Sequence, residues 1–291
     1  MKPSPFEYSA PASLEEALEV LAEAGSGAKV LAGGQSLVPL MNLRLAAPEH
    51  LVDLNGVGSL SEIRADDGGL AIGAMARQST LERSTLVEEL VPALAHAASH
   101  IGHFQVRNRG TVGGSLAHAD PTAELPMILL AAGGRVTVQS KARGARAVEA
   151  NDLVRGYFTT AIEPDEILTE AWFPRLEGAA GWSFQEVARR HGDFALVAAA
   201  TVVRLDGDTV ADAVIALAGV ADRPVRAAAA EELITGEAPS AALAEHAADA
   251  VRGELSPTGD VHASSEYRRE VAGVLVGRAL SEAAQRAQAG S

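Results

Sequence analysis

The apolar positions of the first fifty-odd residues shift from a helical to an extended spacing. Leu14, Ala17, Leu18 and Leu21 recur at the period of one helix face. Ser13-Leu-Glu-Glu16 just ahead of them is a capping box, with Ser13 at the N-cap and Glu16 at N3. The pattern predicts a helix that Gly25 ends. Lys29-Val-Leu-Ala32 then reads as a short strand running directly into Gly33-Gly34, and Leu51-Val-Asp-Leu54 as a second strand. Together they make a small β-α-β unit with a glycine loop at the carboxyl end of a strand, the place where ligands sit in parallel α/β units.

A second unit is expected from about Leu60. Leu70-Ala-Ile-Gly-Ala74 is strand-like, and Ser79-Thr-Leu-Glu82 is a further capping box, followed by helical stretches through Leu90 and over residues 93–100. After a second glycine loop, Asp120-Pro121 reads as the N-cap and N1 of a helix that ends near Gly133-Gly134. Arg135-Val-Thr-Val-Gln139 alternates like a strand, and residues 166–173 read as the closing strand before Pro174. Residues 175–181 form a linker. Beyond it come strand-like runs at 196–205 and 213–218, then alanine-rich helices at 227–234 and 241–252. A last helix is expected over 267–286, with Val271, Val274, Leu275 and Ala279 on one face.

Composition narrows the function classes. A length of 291 residues allows about two domains with their own cores. Hydrophobic residues make up 47% but aromatics only 4%, so the cores are built from Ala, Val and Leu. A net charge of −14 argues against nonspecific nucleic-acid binding, which needs a cationic face. It also means that any bound anion must rely on local donors. The chain has no cysteine, which excludes disulfides, thiolate chemistry and cysteine-ligated iron–sulfur clusters from it. The N-terminus shows no apolar signal segment, and the longest uncharged apolar stretches fall well short of the roughly 20 residues of a membrane span. A soluble, cytoplasmic protein is expected.

The candidate chemistry lies in two glycine pairs, one in Val30-Leu-Ala-Gly-Gly-Gln-Ser36 and one in Arg109-Gly-Thr-Val-Gly-Gly-Ser115. Alone, each reads as a tight turn or a helix C-cap. As a pair, each followed by a small hydroxyl residue, they suggest two loops that grip a diphosphate through main-chain N–H groups. The Rossmann G-x-G-x-x-G fingerprint is absent. Arg107 and Arg109 stand beside the second loop as anion donors or as solvated loop residues. His118 and Asp120 lack a third metal ligand. His96, His100 and His103 lack the glutamate of a zinc-binding helix and read as helix-surface residues. Arg189-Arg190-His191 reads as a solvated loop, or as a patch for an acidic partner.

The segments 31–45 and 101–126 resemble the first and second FAD loops of the flavoprotein (medium) subunits of molybdenum hydroxylases, the xanthine dehydrogenase and carbon monoxide dehydrogenase family. Phe184-Gln-Glu-Val-Ala-Arg-Arg-His-Gly-Asp-Phe-Ala195 resembles the opening of that family's C-terminal domain. The resemblance implies an FAD-binding domain of the vanillyl-alcohol oxidase/PCMH type over 1–175, made of α+β subdomains at about 1–57 and 58–175. A C-terminal α+β domain, an antiparallel sheet plus helices, would follow over 176–291.

It further implies one noncovalent FAD. Leu31, Ala32, Gly33, Gly34, Gln35, Ser36 and Leu37 would hold it on one side, and Thr111, Gly113, Gly114, Ser115 and Asp120 on the other, with Ile101, Glu124 and Leu168 approaching the flavin, ribityl or adenosine parts. From the residues alone, Asp120 is an N-cap, Leu168 reads as a core strand residue, and Ile101 reads as a core position as well. No catalytic side chain is implied, because the flavin carries the chemistry. Phe194 would shield the isoalloxazine ring or anchor a strand. Several relatives carry a lysine around Gln185-Glu186, and this chain does not.

The partners implied are a small subunit with [2Fe-2S] clusters and a large molybdopterin subunit, in a dimer of heterotrimers. The remaining alternatives are a self-contained oxidase of the vanillyl-alcohol oxidase type and a flavin-free scaffold subunit.

Overall fold

A computed structural model describes residues 2–290. At its N-terminal end, β1 (Glu7–Ser9), β2 (Ala28–Leu31) and β3 (His50–Asp53) form a parallel sheet in the order β1-β3-β2. Its first strand carries no signal in the sequence pattern. Helix α1 (Leu14–Ala24) is capped as expected: Ser13 Oγ accepts the Glu16 N–H at 3.1 Å, while Glu16 Oε2 accepts the N–H of Ala12 at 2.8 Å. Gly25, at φ +64°, ends it. The buried face of α1 (Ala17, Leu18, Leu21) packs with Val52, Leu54, Leu60, Met75 and Ile167, so this core already includes residues of the next subdomain. The first glycine loop leaves β2 and enters α2 (Leu37–Asn42).

The second subdomain is an antiparallel sheet of β4 (Ile63–Asp66), β5 (Gly69–Gly73), β6 (Arg135–Ser140), β7 (Gly144–Glu149) and β10 (Glu166–Pro174), ordered β4-β5-β10-β6-β7. Between β5 and β6 run α3 (Gln78–Leu81), α4 (Thr85–Leu90), α5 (Pro92–His100), α6 (Phe104–Arg107), α7 (Val112–His118) and α8 (Glu124–Ala132). Helix α9 (Ala150–Leu153) and the small ladder β8 (Val154–Gly156) and β9 (Thr159–Thr160) precede β10.

Two expected caps are not made. Arg77, not Ser79, is the N-cap of α3, and the hydroxyl that does cap is Ser84, which accepts the Val87 N–H at the start of α4. Asp120 does not cap α8, whose N-cap is Ala123. Its Oδ1 instead accepts the N–H and hydroxyl of Thr122, at 2.9 and 2.7 Å, and closes a turn two residues long.

In the C-terminal domain, β11 (Ala180–Ala188), β12 (Ala195–Asp206), β13 (Thr209–Ala218) and β14 (Val225–Arg226) form an antiparallel sheet in sequence order. Helices α10 (Ala228–Ile234), α11 (Ala241–Glu254) and α12 (Ser265–Ala289) follow. Strand β12 is apolar without alternation because both its faces are covered. Val197, Ala199 and Val203 join the core under α11 and α12, whereas Ala198 and Ala200 join the core that contains α8. Helix α8 is buried all round for the same reason, since it lies between the two domains.

The stripe that α12 buries is Ala272, Leu275, Val276, Ala279, Leu280 and Ala283. Val271 is half-buried and packs against this core as expected, whereas Val274 is 41% exposed, contrary to expectation. One helical step from Leu275 turns Val274 by about 100°, past the edge of the face that the small alanines bring against the sheet. Among the described residues, no helix is long and apolar enough to cross a membrane.

Candidate functional site

The two glycine loops lie against each other where the two subdomains meet. In the first, Gly34 sits at φ +75°, a conformation that favours glycine. Among the described residues, the N–H groups of Gly33, Gly34, Gln35 and Ser36 donate to no protein acceptor, and the Ser36 hydroxyl makes no cap to α2. A loop of four consecutive unsatisfied donors is a site for an anion or for water.

The second loop is zipped onto the chain that leaves β5. Gly110 O accepts the Gln78 N–H at 3.0 Å, and the N–H groups of Val112 and Gly113 donate to Ala76 O and Ala74 O at 3.0 and 2.8 Å. Thr111 caps α7 by accepting the Gly114 N–H at its Oγ1 (3.0 Å), and its carbonyl takes the Ser115 N–H. The protein therefore uses the main-chain donors of residues 112–115 itself. Among the described residues, those left without a protein partner in this loop are the Thr111 N–H and the Ser115 hydroxyl.

Chain packing accounts for most of the glycines. A Cβ on Gly33 would lie 2.8 Å from Gly110 Cα and closer still to the Arg109 carbonyl. One on Gly113 would lie 2.5–2.9 Å from Ala74. One on Gly114 would lie 2.7 Å from Thr111 Oγ1 and 3.4 Å from the Ala32 methyl. The absent side chains let loop meet loop and loop meet strand, which places the free donors.

A side-chain network missed by the sequence reading braces this junction. Asn55 Nδ2 donates to the Ala32 carbonyl (2.9 Å) and to Asp53 Oδ1 (2.5 Å), and Asp53 Oδ2 accepts from the Tyr8 hydroxyl (2.7 Å). Arg77 donates through Nη2 to Asn55 Oδ1 (2.6 Å) and through Nη1 to the Arg109 carbonyl. The Asp53-x-Asn55 spacing could have flagged a local side-chain turn. Nothing around Arg77 in the sequence marked it.

The remaining candidates are dispersed around this junction. Leu31 ends β2 and Leu37 begins α2. Ile101 closes α5 and is buried, and Leu168 is buried on β10 beside its register shift. Glu124, at the start of α8, is 5% exposed, and burial pushes its carboxyl up to about 8. Glu186 on β11, close enough to add to that shift, is itself raised by burial to about 7, and its Oε2 is buried without a partner. Phe194 is 64% exposed, so it is no buried strand anchor.

Arg107 fits neither role expected for it. It is buried, pairs with Glu82 at 2.9 Å, and donates to the carbonyls of Ile101 and Gly102. Arg109 stays exposed. The histidines do not lie on one open helix face. His96 and His100 pack at the domain seam, against Trp182 and Phe184 and against Phe184 respectively, with ring centroids 5.0–6.0 Å apart, and burial lowers their pKa. His103 lies beyond the end of α5, facing the His191 ring at 6.2 Å. His118 packs on Phe158. Among the described residues, no cluster of side chains could hold a metal ion.

Two glycine loops that meet at the junction of a parallel and an antiparallel sheet, followed by a sheet-and-helix domain, define an anion-binding junction without the Rossmann fingerprint. Comparison with known families agrees. Residues 4–176 match the FAD binding domain in molybdopterin dehydrogenase, and residues 182–283 the CO dehydrogenase flavoprotein C-terminal domain. The chain belongs to this family: it is an FAD-binding medium subunit of the molybdenum hydroxylases, and thus an oxidoreductase subunit.

Its relatives include the 6-hydroxypseudooxynicotine dehydrogenase complex subunit alpha of Paenarthrobacter nicotinovorans, 43% identical over 99% of this chain and 97% of that one. The carbon monoxide dehydrogenase medium chain of Hydrogenophaga pseudoflava is 38% identical over 97% and 98%. Among solved structures, a chain of quinoline 2-oxidoreductase from Pseudomonas putida 86 superposes with a TM-score of 0.94 at 40% identity, covering 99% of both chains.

Proposed function

We propose that this chain holds one noncovalent FAD with its diphosphate against the first glycine loop, as the electron-transfer subunit of a molybdenum hydroxylase. The observation that carries this reading is the run of four free main-chain donors, Gly33 to Ser36, in a chain of net charge −14. Donors left unmet by the protein are matched by phosphate oxygens. Thr111 N–H and the Ser115 hydroxyl add donors from the second loop, while Gly113 and Gly114 act through close packing. Ala32, Gln35, Leu31 and Leu37 flank the first loop. Ile101, Asp120, Glu124 and Leu168 line the approach to the rest of the cofactor.

The two loops would hold the flavin, which would supply electron-transfer chemistry between [2Fe-2S] clusters of a small subunit, served by a molybdenum centre on a large subunit, and a terminal acceptor. The absence of cysteine supports placing the clusters on another chain. The substrate is the large subunit's choice. Three relatives of this chain, alike along their whole length, bear names built on 6-hydroxypseudooxynicotine, carbon monoxide and quinoline, which share no structure a common pocket would recognise. A dimer of heterotrimers in the cytoplasm completes the reading.

Titration of the purified chain with FAD, followed by quenching of flavin fluorescence, tests the cofactor site. Reduction of that flavin by substrate only when both partner subunits are added tests the route. A flavin that stays with the protein through acid precipitation would instead point to a self-contained oxidase with a covalent link.

A further inference from the structure

We infer that Arg77 is a positioning residue for the cofactor: with Asn55 it forms a strut that fixes the two glycine loops relative to each other. The inference rests on the FAD reading above and names a residue outside both loop motifs.

The strut has continuous geometry. Arg77 starts α3 from the end of the β5 segment, and its backbone pairs with Thr111 of the second loop in an isolated antiparallel bridge. From that fixed base its guanidinium reaches both loops. One nitrogen takes the Arg109 carbonyl, and the other takes Asn55 Oδ1 at 2.6 Å. Asn55 passes the restraint on through Nδ2 to the Ala32 carbonyl at 2.9 Å. Asn55 is itself fixed by Asp53, which receives both its backbone N–H (2.8 Å) and its side-chain amide (2.5 Å), and Asp53 is held by Tyr8 at 2.7 Å. The planar guanidinium fork spans two acceptors in fixed directions, which an ammonium on a flexible stem does not.

The polarity of the strut matters as much as its reach. It takes a carbonyl from each loop. In a trans peptide, C=O and N–H point in opposite directions, so drawing the Ala32 carbonyl toward Asn55 turns the Gly33 N–H, a free donor, away from the strut. The strut thereby aims the first donor of the diphosphate loop.

Arg77 is also a cation without a carboxylate. Among the described residues it makes no ion pair within 4.0 Å, and both its hydrogen bonds go to neutral oxygens. Burial lowers its pKa, the nearby Arg109 charge lowers it further, and Asp53 is the opposing influence. Two neighbouring positive charges at the loop junction of an acidic protein are stabilised by an anion arriving there.

The test compares full-length wild type with Arg77→Met, Arg77→Lys and Asn55→Ala, measuring Kd for FAD, ADP and riboflavin by calorimetry, with thermal melting of each unliganded protein. The strut predicts that Arg77→Met weakens FAD and ADP by about ten- to a hundredfold. Riboflavin, which has no diphosphate, changes less than threefold. Asn55→Ala follows the same pattern, and Arg77→Lys restores only part of the loss. Equal losses for ADP and riboflavin, or FAD and ADP constants within twofold of wild type in Arg77→Met, would overturn the inference. Wild-type protein that binds neither FAD nor ADP would overturn the functional reading, and the strut with it.

Discussion

Replacing Glu124 by Gln should stabilise the protein at pH 8 and cost up to about 1 kcal/mol at pH 5. The reasoning starts from burial: the carboxyl at the head of α8 lies between the domains, near the Glu186 carboxyl, and is raised from 4.5 to about 8. Below pH 4.5, folded and unfolded chains both carry the proton. Between pH 4.5 and 8 the unfolded chain releases it and the folded one keeps it. The folded state then binds more protons, so stability falls as pH rises through this window. Each pH unit is worth about 1.4 kcal/mol, which puts the burden at pH 8 near 4 kcal/mol. A neutral amide of the same shape removes that pH-dependent burden. Its own imperfect hydrogen bonding costs about 1–2 kcal/mol, leaving a net gain of about 2–3 kcal/mol at pH 8. Urea unfolding of the flavin-free chain at pH 5 and pH 8 reads the difference directly. A Glu124→Gln effect that is the same at both pH values, or that is destabilising at pH 8, would refute the argument.

Three further outcomes follow from the same structure. Gly33→Ala places a methyl 2.8 Å from Gly110 Cα, against backbone that cannot swing aside, and should cost about 1–3 kcal/mol in stability together with a measurable loss of FAD affinity by fluorescence titration. Glu166, held at about 2 by its bidentate pair with Arg146, contributes stability that is present above pH 4.5 and is lost as pH falls toward 2. Glu166→Gln should therefore lower the denaturation midpoint at pH 7, by an amount corresponding to about 2–3 kcal/mol, and have little effect near pH 2. Thr111→Val removes the cap of α7 and should cost about 1 kcal/mol in thermal melting, whereas Thr111→Ser should retain most of it.

The sequence made some parts of this molecule readable and hid others for physical reasons. Helix α1 was legible because its cap, its periodicity and its terminating glycine all act within a dozen residues. Strand β1 was not, because three exposed or half-buried residues are ordered only by pairing with β3, more than forty positions away. Asp120 shows the limit of local capping rules: the aspartate closes a turn before the helix, and α8 begins beyond it because burial between the domains, and not a cap, holds that helix. The glycine loops were visible as motifs, but the reason for their glycines was only half visible. Ligand approach suggested them, yet Gly33 and Gly113 are also required by chain passing against chain. Arg107 looked like an anion donor because its partner Glu82 lies 25 residues away. Arg77 and Asn55 went unnoticed since their role exists only once the two loops have been brought together.

The most direct test of the account is the visible absorption spectrum of the purified chain supplied with FAD and freed of excess, recorded before and after acid precipitation. The account predicts a two-band flavin spectrum that travels with the protein and passes wholly into the acid supernatant. A protein that remains colourless after incubation with FAD would contradict it.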